Sequence, residues 1–180
     1  MSDAFDKLAN SATQARMENR VSDAKRYWAQ AIQLSRQSGN KKELIQALKG
    51  AGQIERDMGS NETALPYYLE AVSLCREQKD PLSLAHTVRH LGDVYRSSKR
   101  LELAEPCYNE ALALYRSNSQ TAPLDLANAI RPMAILKEQT GEPAAAKALW
   151  EEAKQLYAAV NIPEAVAESS KRLAHLAGKA

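Results

Sequence analysis

The sequence predicts an all-α protein in which one helical hairpin is repeated along the chain. Aromatic residues make up only 6% of the 180 residues, with a single Phe. This disfavours a β-sandwich or barrel, because strands are rich in aromatic and β-branched residues. Seven Gly and seven Pro leave room only for short loops. A sequence phrase that recurs about every 40 residues points to a repeat architecture.

The repeated phrase has a small residue, an aromatic residue four positions later, Ala three positions after that, and Leu three positions further on. Its copies begin at Ala24, Ala64, Ala104 and Ala146. These spacings place all four residues on one face of a helix. The small residue permits close helix approach, and the aromatic residue fills the space between layers. A second phrase, most complete from Leu84 to Tyr95, comes before each copy, so each repeat is expected to be a pair of helices.

Breaks between the phrases give the helix boundaries in order along the chain. Gly59 and Gly141 are expected to end first helices in the left-handed conformation. Pro81, Pro123 and Pro163 are expected to begin new repeats, because Pro suits the first turn of a helix. The predicted helices are 3–17, 21–37, 41–58, 61–78, 81–98, 101–117, 123–140, 143–160 and 163–178. A proline inside the seventh helix, Pro132, is expected to kink it.

The third repeat has the most complete pattern of small, aromatic and apolar residues. The positions that carry the pattern are Leu91, Gly92 and Tyr95 in the first helix and Ala104, Tyr108 and Ala111 in the second. This pattern resembles the tetratricopeptide repeat, and the 40-residue period is similar to the subclass in kinesin light chains and G-protein-signalling modulators. Glu55 and Lys137 depart from the pattern, since they stand where Tyr95 stands in the third repeat, and Ser11 replaces Leu91 in the same way.

The resemblance implies a right-handed α-solenoid of four helical hairpins plus a C-terminal capping helix, in a single domain over residues 1–180. The repeats are expected at about 1–40, 41–80, 81–122 and 123–162, with the capping helix at 163–178. A terminal helix of such an array needs a polar outer surface. The last helix is therefore expected to turn three residues inward and four outward: Val166, Leu173 and Ala174, against Glu168, Ser169, Lys171 and Arg172.

The sequence contains no motif of a catalytic or cofactor-binding site. Gly-rich phosphate loops, Gly-x-Ser-x-Gly, His-Glu-x-x-His and Cys-x-x-Cys are all missing, so we expect neither enzyme activity nor a cofactor. His86, His90 and Asp93 share a helix face, but a metal site usually needs further ligands, so none is predicted. Two cysteines, no signal peptide and no apolar run of the ~20 residues that cross a membrane favour a cytoplasmic location.

Basic residues recur at two positions of the first helices. They stand three residues before the small residue of the helix at Lys49, Arg89, Arg131 and Lys171, and four residues after it at Arg16, Arg56 and Arg96. In the resembling family these positions line a concave surface, so each row would form a line of cations across a groove. Such a groove attracts acidic ligands, because Arg can bind a carboxylate or phosphate with two hydrogen bonds. The alternative is a solvated face whose charges balance internally, given a net charge of only +2.

The predicted function is a non-catalytic protein–protein interaction scaffold whose basic groove binds an acidic or phosphorylated peptide segment of a partner. The residues expected to line the groove are Lys49, Gln53, Arg56, His86, Arg89, His90, Asp93, Arg96, Asn128 and Arg131. Self-assembly into a homo-oligomer stays open, through an N-terminal face where Phe5 and Leu8 would have nothing outside them. Binding of a small effector or of nucleic acid also stays open, although the interleaved carboxylates count against nucleic acid.

Overall fold

The computed structural model describes residues 2–178, which form nine α-helices and no β-strand. The helices are α1 (Asp3–Met17), α2 (Val21–Ser38), α3 (Lys41–Asp57), α4 (Asn61–Gln78), α5 (Pro81–Ser97), α6 (Leu101–Ser117), α7 (Pro123–Gln139), α8 (Pro143–Ala159) and α9 (Pro163–Ala177). Each predicted helix is present, with bounds within one residue of expectation. Within residues 2–178, no helix is both long and apolar enough to cross a membrane.

The chain divides into two compact units between Asp80 and Pro81. Unit 1 contains α1–α4 and unit 2 contains α5–α9. In both units each helix packs against the next one along the chain, and the first helices also touch side by side, α1 with α3 and α5 with α7. The expectation of a single domain over 1–180 stays a prediction.

Most helix ends use a residue in the left-handed conformation. Gly59 and Gly141 have φ of 75° and 76°, which confirms the prediction, and Gly39 has φ of 68°. Four other turns place a residue with a side chain in this region: Asn19, Lys79, Lys99 and Asn161. Asn tolerates the left-handed conformation, whereas Lys does not favour it. The residue type therefore could not show that Lys79 and Lys99 adopt this conformation.

In unit 1, aromatic residues of the second helices lie against glycines of α3. Trp28 of α2 covers Gly50, and Tyr68 of α4 covers Gly52 so closely that a Cβ on Gly52 would lie 2.9 Å from Tyr68 Cε2. Both aromatic side chains are buried. The glycines are therefore required for space within α3, as the predicted close helix approach implies.

Phe5 of α1 is fully buried in the core of unit 1. It belongs to the same apolar cluster as Leu44 and Leu48 of α3. The expectation that Phe5 would be uncovered at an N-terminal face was wrong, because α3 supplies enough apolar surface to enclose it. This removes the reason that the sequence offered for self-assembly through that face.

In unit 2 the same arrangement recurs around Gly92 of α5. A Cβ on Gly92 would lie 2.7 Å from Tyr108 Cε1 of α6. The larger Trp150 of α8 is also fully buried, in a cluster with Ala134 of α7 and Leu176 of α9. α7 continues as an α-helix past Pro132, which is buried, and the kink expected at this proline stays a prediction.

Two ion pairs replace the aromatic packing at Glu55 and Lys137. Glu55 of α3 pairs with Lys25 of α2, with 2.8 Å between Oε1 and Nζ. Lys137 of α7 pairs with Glu105 of α6. Lys25 and Glu105 occupy the same repeat position, directly after the small residue of a second helix, so the two pairs are equivalent with their charges exchanged. The departures from the family pattern are thus compensated by a charge on the preceding helix.

The last helix, α9, packs on the core through Val166 and Leu173 as expected, but two other residues differ from the expectation. Ser169 is fully buried and donates its hydroxyl to the carbonyl of Ala165, whereas Ala174 is exposed. The inward face continues through Leu173 to the buried Leu176. Ala174 was expected inward by analogy with the small residues of other first helices. Those residues are covered by an aromatic residue of the helix that follows, and no helix follows α9 among the described residues.

Candidate functional site

All ten residues predicted to line a groove are partly buried, and they lie on first helices of the two units. Unit 1 carries Lys49, Gln53 and Arg56 on α3, and unit 2 carries the other seven, on α5 and α7. We describe each unit by itself. A continuous groove through both units stays a prediction.

In unit 1 the cations lie beside carboxylates. Arg16 of α1 reaches Asp57 at the end of α3, with 2.6 Å between Nη2 and Oδ2. Arg56, which is more buried, has Nη2 3.9 Å from the other oxygen of Asp57. One carboxylate therefore interacts with two of the predicted cations, and the field of this part of the surface is weaker than the row of basic residues suggested.

In unit 2, α5 carries a connected set of polar side chains. The rings of His86 and His90 meet edge to face, with centroids 4.7 Å apart. Arg89 donates from Nη2 to His90 Nε2 at 2.7 Å, and since arginine cannot accept, Nε2 must hold a lone pair. The proton of neutral His90 then lies on Nδ1, 3.1 Å from Asp93 Oδ2. This chain of contacts fixes the orientation of three side chains at the surface of α5.

Arg89 has one donor that the described residues leave unsatisfied. Its side chain is only 14% exposed, and Nη1 lies 3.8 Å from Asp93 Oδ2. Burial raises the pKa of Tyr115, and the neighbouring charge of Arg89 opposes this, so the two side chains lie close together. Within residues 2–178 the buried Nε of Arg89 has no hydrogen-bond partner. A buried donor without an acceptor is energetically costly.

Arg96, the basic residue four positions after Gly92, forms a hydrogen bond with the hydroxyl of a core tyrosine. Arg96 Nε donates to Tyr108 Oη at 3.2 Å, and this hydroxyl donates to Asp93 Oδ1 at 2.9 Å. The equivalent position in α7 is Glu138, which accepts a hydrogen bond from Trp150 Nε1 at 2.6 Å. In both helices this position therefore supports the aromatic residue of the following helix. These contacts do not support the ligand-binding role predicted for Arg96, and that role stays a prediction.

On α7, Asn128 and Arg131 are held by residues of later helices. Asn128 Oδ1 accepts the hydroxyl of Tyr157 of α8 at 2.9 Å. Arg131 donates from Nε and Nη2 to the two carboxylate oxygens of Glu168 of α9, both at 2.8 Å. Hydrogen bonds to Glu168 raise the pKa of Arg131, and the charge of Asp93 on α5 adds to this. The same bonds lower the pKa of Glu168. Groups on α5, α7 and α9 therefore interact electrostatically.

We call the residues at this surface the unit 2 polar face, and its members are His86, Arg89, His90 and Asp93 of α5 with Asn128 and Arg131 of α7. Arg89 and Arg131 each have an acidic side chain close by, in Asp93 and Glu168. These contacts agree with the alternative that charges on the first helices balance internally. No three His, Cys, Asp or Glu side chains in the described part of the chain are grouped as a metal site requires.

A cavity in unit 1 was not predicted from the sequence. A cavity of about 330 Å³ lies between the ends of α1 and α3 and the start of α2. Its walls include Met17 and Met58, which are 80% and 53% exposed and are more exposed than any other large apolar residue described. The signal available was the pair of methionines at equivalent turns, where polar residues are usual.

Comparison with known families gives one match, to the tetratricopeptide repeat, over residues 43–117. This segment contains most of α3 and the whole of α4, α5 and α6. No curated protein matches the sequence.

Solved structures match over nearly the whole chain. BtubC (BKLC) from P. vanneervenii is 20% identical, with a TM-score of 0.78 over 90% of this chain and 67% of that protein. A Q17M form of putative kinesin light chain TPR-like repeats from Podosopora anserina is 12% identical, with a TM-score of 0.80 over 98% and 87%. Aspartyl phosphate phosphatase F from Bacillus subtilis is 16% identical, with a TM-score of 0.83 over 94% of this chain and 45% of that protein. At such identities the likeness concerns the fold alone.

Proposed function

Because residues 43–117 belong to the tetratricopeptide-repeat family, as the sequence pattern predicted, we propose that this protein is a non-catalytic protein-interaction module. Its unit 2 polar face binds an acidic or phosphorylated segment of a partner protein. The fold by itself names no ligand, so the proposal depends on the side chains of this surface.

The repeat architecture of the proposal is four helical hairpins followed by a capping helix. Contacts within each unit agree with it, since α1 packs on α2, α3 on α4, α5 on α6 and α7 on α8. α9 packs on α8 and would act as the cap. In this arrangement the first helices carry the binding residues, and the second helices support them from behind through Tyr108, Tyr115 and Tyr157.

One observation carries the proposal: the guanidinium of Arg131 donates two hydrogen bonds to a single carboxylate. Both hydrogen bonds from Arg131 to Glu168 are 2.8 Å long, so this guanidinium has the geometry that a bidentate carboxylate or phosphate requires. The Arg131 side chain is 41% exposed and can be reached from solvent. The unsatisfied Nε of Arg89 adds a buried donor on the neighbouring helix. Asn128 adds an amide of the type that binds peptide backbone groups.

The proposal is tested with an array of short peptides in three matched forms. One set carries Glu and Asp, the second carries Gln and Asn at the same positions, and the third carries phosphoserine. We expect binding to the acidic and phosphorylated sets but not to the amide set. Arg131→Gln should weaken this binding about tenfold, the effect of losing hydrogen bonds to a charged group. The matched control is Lys147→Gln, which removes the same charge from an exposed position of α8.

Equal loss in the two variants would mean that only net charge matters, and binding to the amide set would show that carboxylates are not recognised. Either result would contradict the proposal. A DNA oligonucleotide of similar charge belongs on the same array. If it bound more tightly than the peptides and with a steep dependence on salt, nucleic-acid binding would replace peptide binding as the function.

A further inference from the structure

The carboxylate that is hydrogen-bonded to Arg131 is a side chain of the protein itself, that of Glu168. We propose that Glu168 of α9 is an internal competitor, which an acidic ligand must displace before it can bind the Nε–Nη2 edge of Arg131. This inference rests on the proposed function and adds a determinant of affinity to the same site. It identifies α9 as a helix that controls access to the unit 2 polar face.

Glu168 uses the groups of Arg131 that an external carboxylate would use. Its two oxygens take the donors on Nε and Nη2, which form one edge of the guanidinium. A second carboxylate cannot share this edge with the same geometry, because Nε and Nη2 each direct only one hydrogen to this edge. Ligand binding at this edge and the Arg131–Glu168 pair therefore exclude each other.

Other contacts keep Glu168 close to Arg131. Leu176 of α9 is buried in the cluster with Trp150, and Ser169, the neighbour of Glu168, is fully buried. Arg172 of α9 donates to Glu138 Oε2 of α7 at 3.2 Å, and its guanidinium lies 5.9 Å from the Trp150 ring centroid. α9 is therefore attached to the rest of unit 2 by contacts that do not involve Glu168. The carboxylate stays at a high effective concentration beside Arg131.

The pair is also accessible enough to exchange. The side chains of Arg131 and Glu168 are 41% and 31% exposed. Partly exposed pairs contribute little to stability. Glu168 can therefore leave Arg131 without unfolding α9, and the competition should change affinity by a modest and measurable factor.

The test measures binding of a fluorescein-labelled polyglutamate peptide by fluorescence anisotropy at low salt. We compare the full chain with Glu168→Gln, which keeps the shape of the side chain but removes its charge. The control is Glu164→Gln, an exposed position one turn earlier on α9 that gives the same change in net charge. Glu168→Asp is a second variant, because it keeps the charge but is too short to hold both donors.

We expect Glu168→Gln to bind the peptide about fivefold more tightly, the factor that a partly exposed ion pair provides. Glu164→Gln should change affinity less, and Glu168→Asp should lie between the wild type and Glu168→Gln. Equal tightening in Glu164→Gln and Glu168→Gln would overturn the inference, since it would indicate a general charge effect. No change or weaker binding in Glu168→Gln would overturn it as well.

Arg131→Gln separates this inference from the proposed function. If Arg131→Gln weakens peptide binding while Glu168→Gln has no effect, the site is correct and the competition is wrong. If the wild type, Glu168→Gln and Arg131→Gln all bind the peptide equally, Arg131 is not part of the site. The proposed function and the inference then fail together.

Discussion

At the residue level, two core aromatic residues of unit 2 each have a polar atom that faces a side chain of complementary hydrogen-bonding type. The hydroxyl of Tyr108 can accept a hydrogen bond, and Arg96 donates to it. The indole of Trp150 can only donate, and Glu138 accepts from it. Arg96 and Glu138 occupy the same repeat position, so in these two repeats the difference in charge matches the hydrogen-bonding type of the aromatic residue. From the sequence, Arg96 was interpreted as a ligand-binding cation. The spacing of residues does not show that the hydroxyl of Tyr108 on α6 lies within hydrogen-bond distance of Arg96 on α5.

Gly50 provides a test of packing at this level. Ala is the better helix former by roughly 1 kcal/mol, so Gly50→Ala would stabilise an unobstructed helix. The Trp28 ring occupies the space that the new methyl group needs. We therefore expect Gly50→Ala to destabilise unit 1 by about 1–3 kcal/mol, as measured by urea unfolding. In a Trp28→Leu background the same substitution should cost less, and an equal cost in both backgrounds would show that the ring is not the obstruction.

At the level of helices, ion pairs fix which faces of adjacent helices meet. Lys25 with Glu55 and Glu105 with Lys137 join equivalent positions of α2–α3 and α6–α7 with opposite polarity. Spacing predicted the helix bounds to within one residue, and the departures at Glu55 and Lys137 marked the two interfaces. The partners were harder to identify, because each lies about thirty residues away on another helix. The exposure of Ala174 was missed for a related reason, since it depends on whether another helix covers this residue.

The polarity of the Lys25–Glu55 pair can be exchanged experimentally. Glu55 is nearly buried, so Glu55→Lys places two cations together at the α2–α3 interface and should cost about 2 kcal/mol in urea unfolding. Adding Lys25→Glu recreates the polarity found between Glu105 and Lys137, so most of the loss should be recovered.

The control for this exchange is the pair of Arg36 and Glu70, which joins α2 to α4 with both side chains well exposed. Glu70→Lys should change stability by less than about 1 kcal/mol. A double exchange at Lys25 and Glu55 that is no more stable than Glu55→Lys alone would show that the pair does not determine the interface.

At the level of the whole molecule, the helical hairpins and the match to the tetratricopeptide repeat over residues 43–117 could be predicted, because both depend on a pattern repeated along the chain. The electrostatics of the candidate site could not, because its cations take partners from distant segments. Arg131 is matched by Glu168 of α9, and Arg16 by Asp57 of α3. Within residues 2–178, several basic residues of the predicted rows therefore form ion pairs, and the buried Nε of Arg89 has no hydrogen-bond partner. The capacity of this surface for an acidic ligand depends on whether those pairs can open.

The most direct test of this account is an NMR titration of the full chain with the tightest acidic peptide from the array. We predict that the largest shifts fall on the unit 2 polar face, especially on the side-chain Nε–H of Arg89 and Arg131 and on the amide of Asn128. The Arg131 Nε–H should move as Glu168 is replaced by the ligand. The account would be contradicted if the shifts were confined to residues of α6 and α8 that point away from the unit 2 polar face, or if they occurred in unit 1 alone.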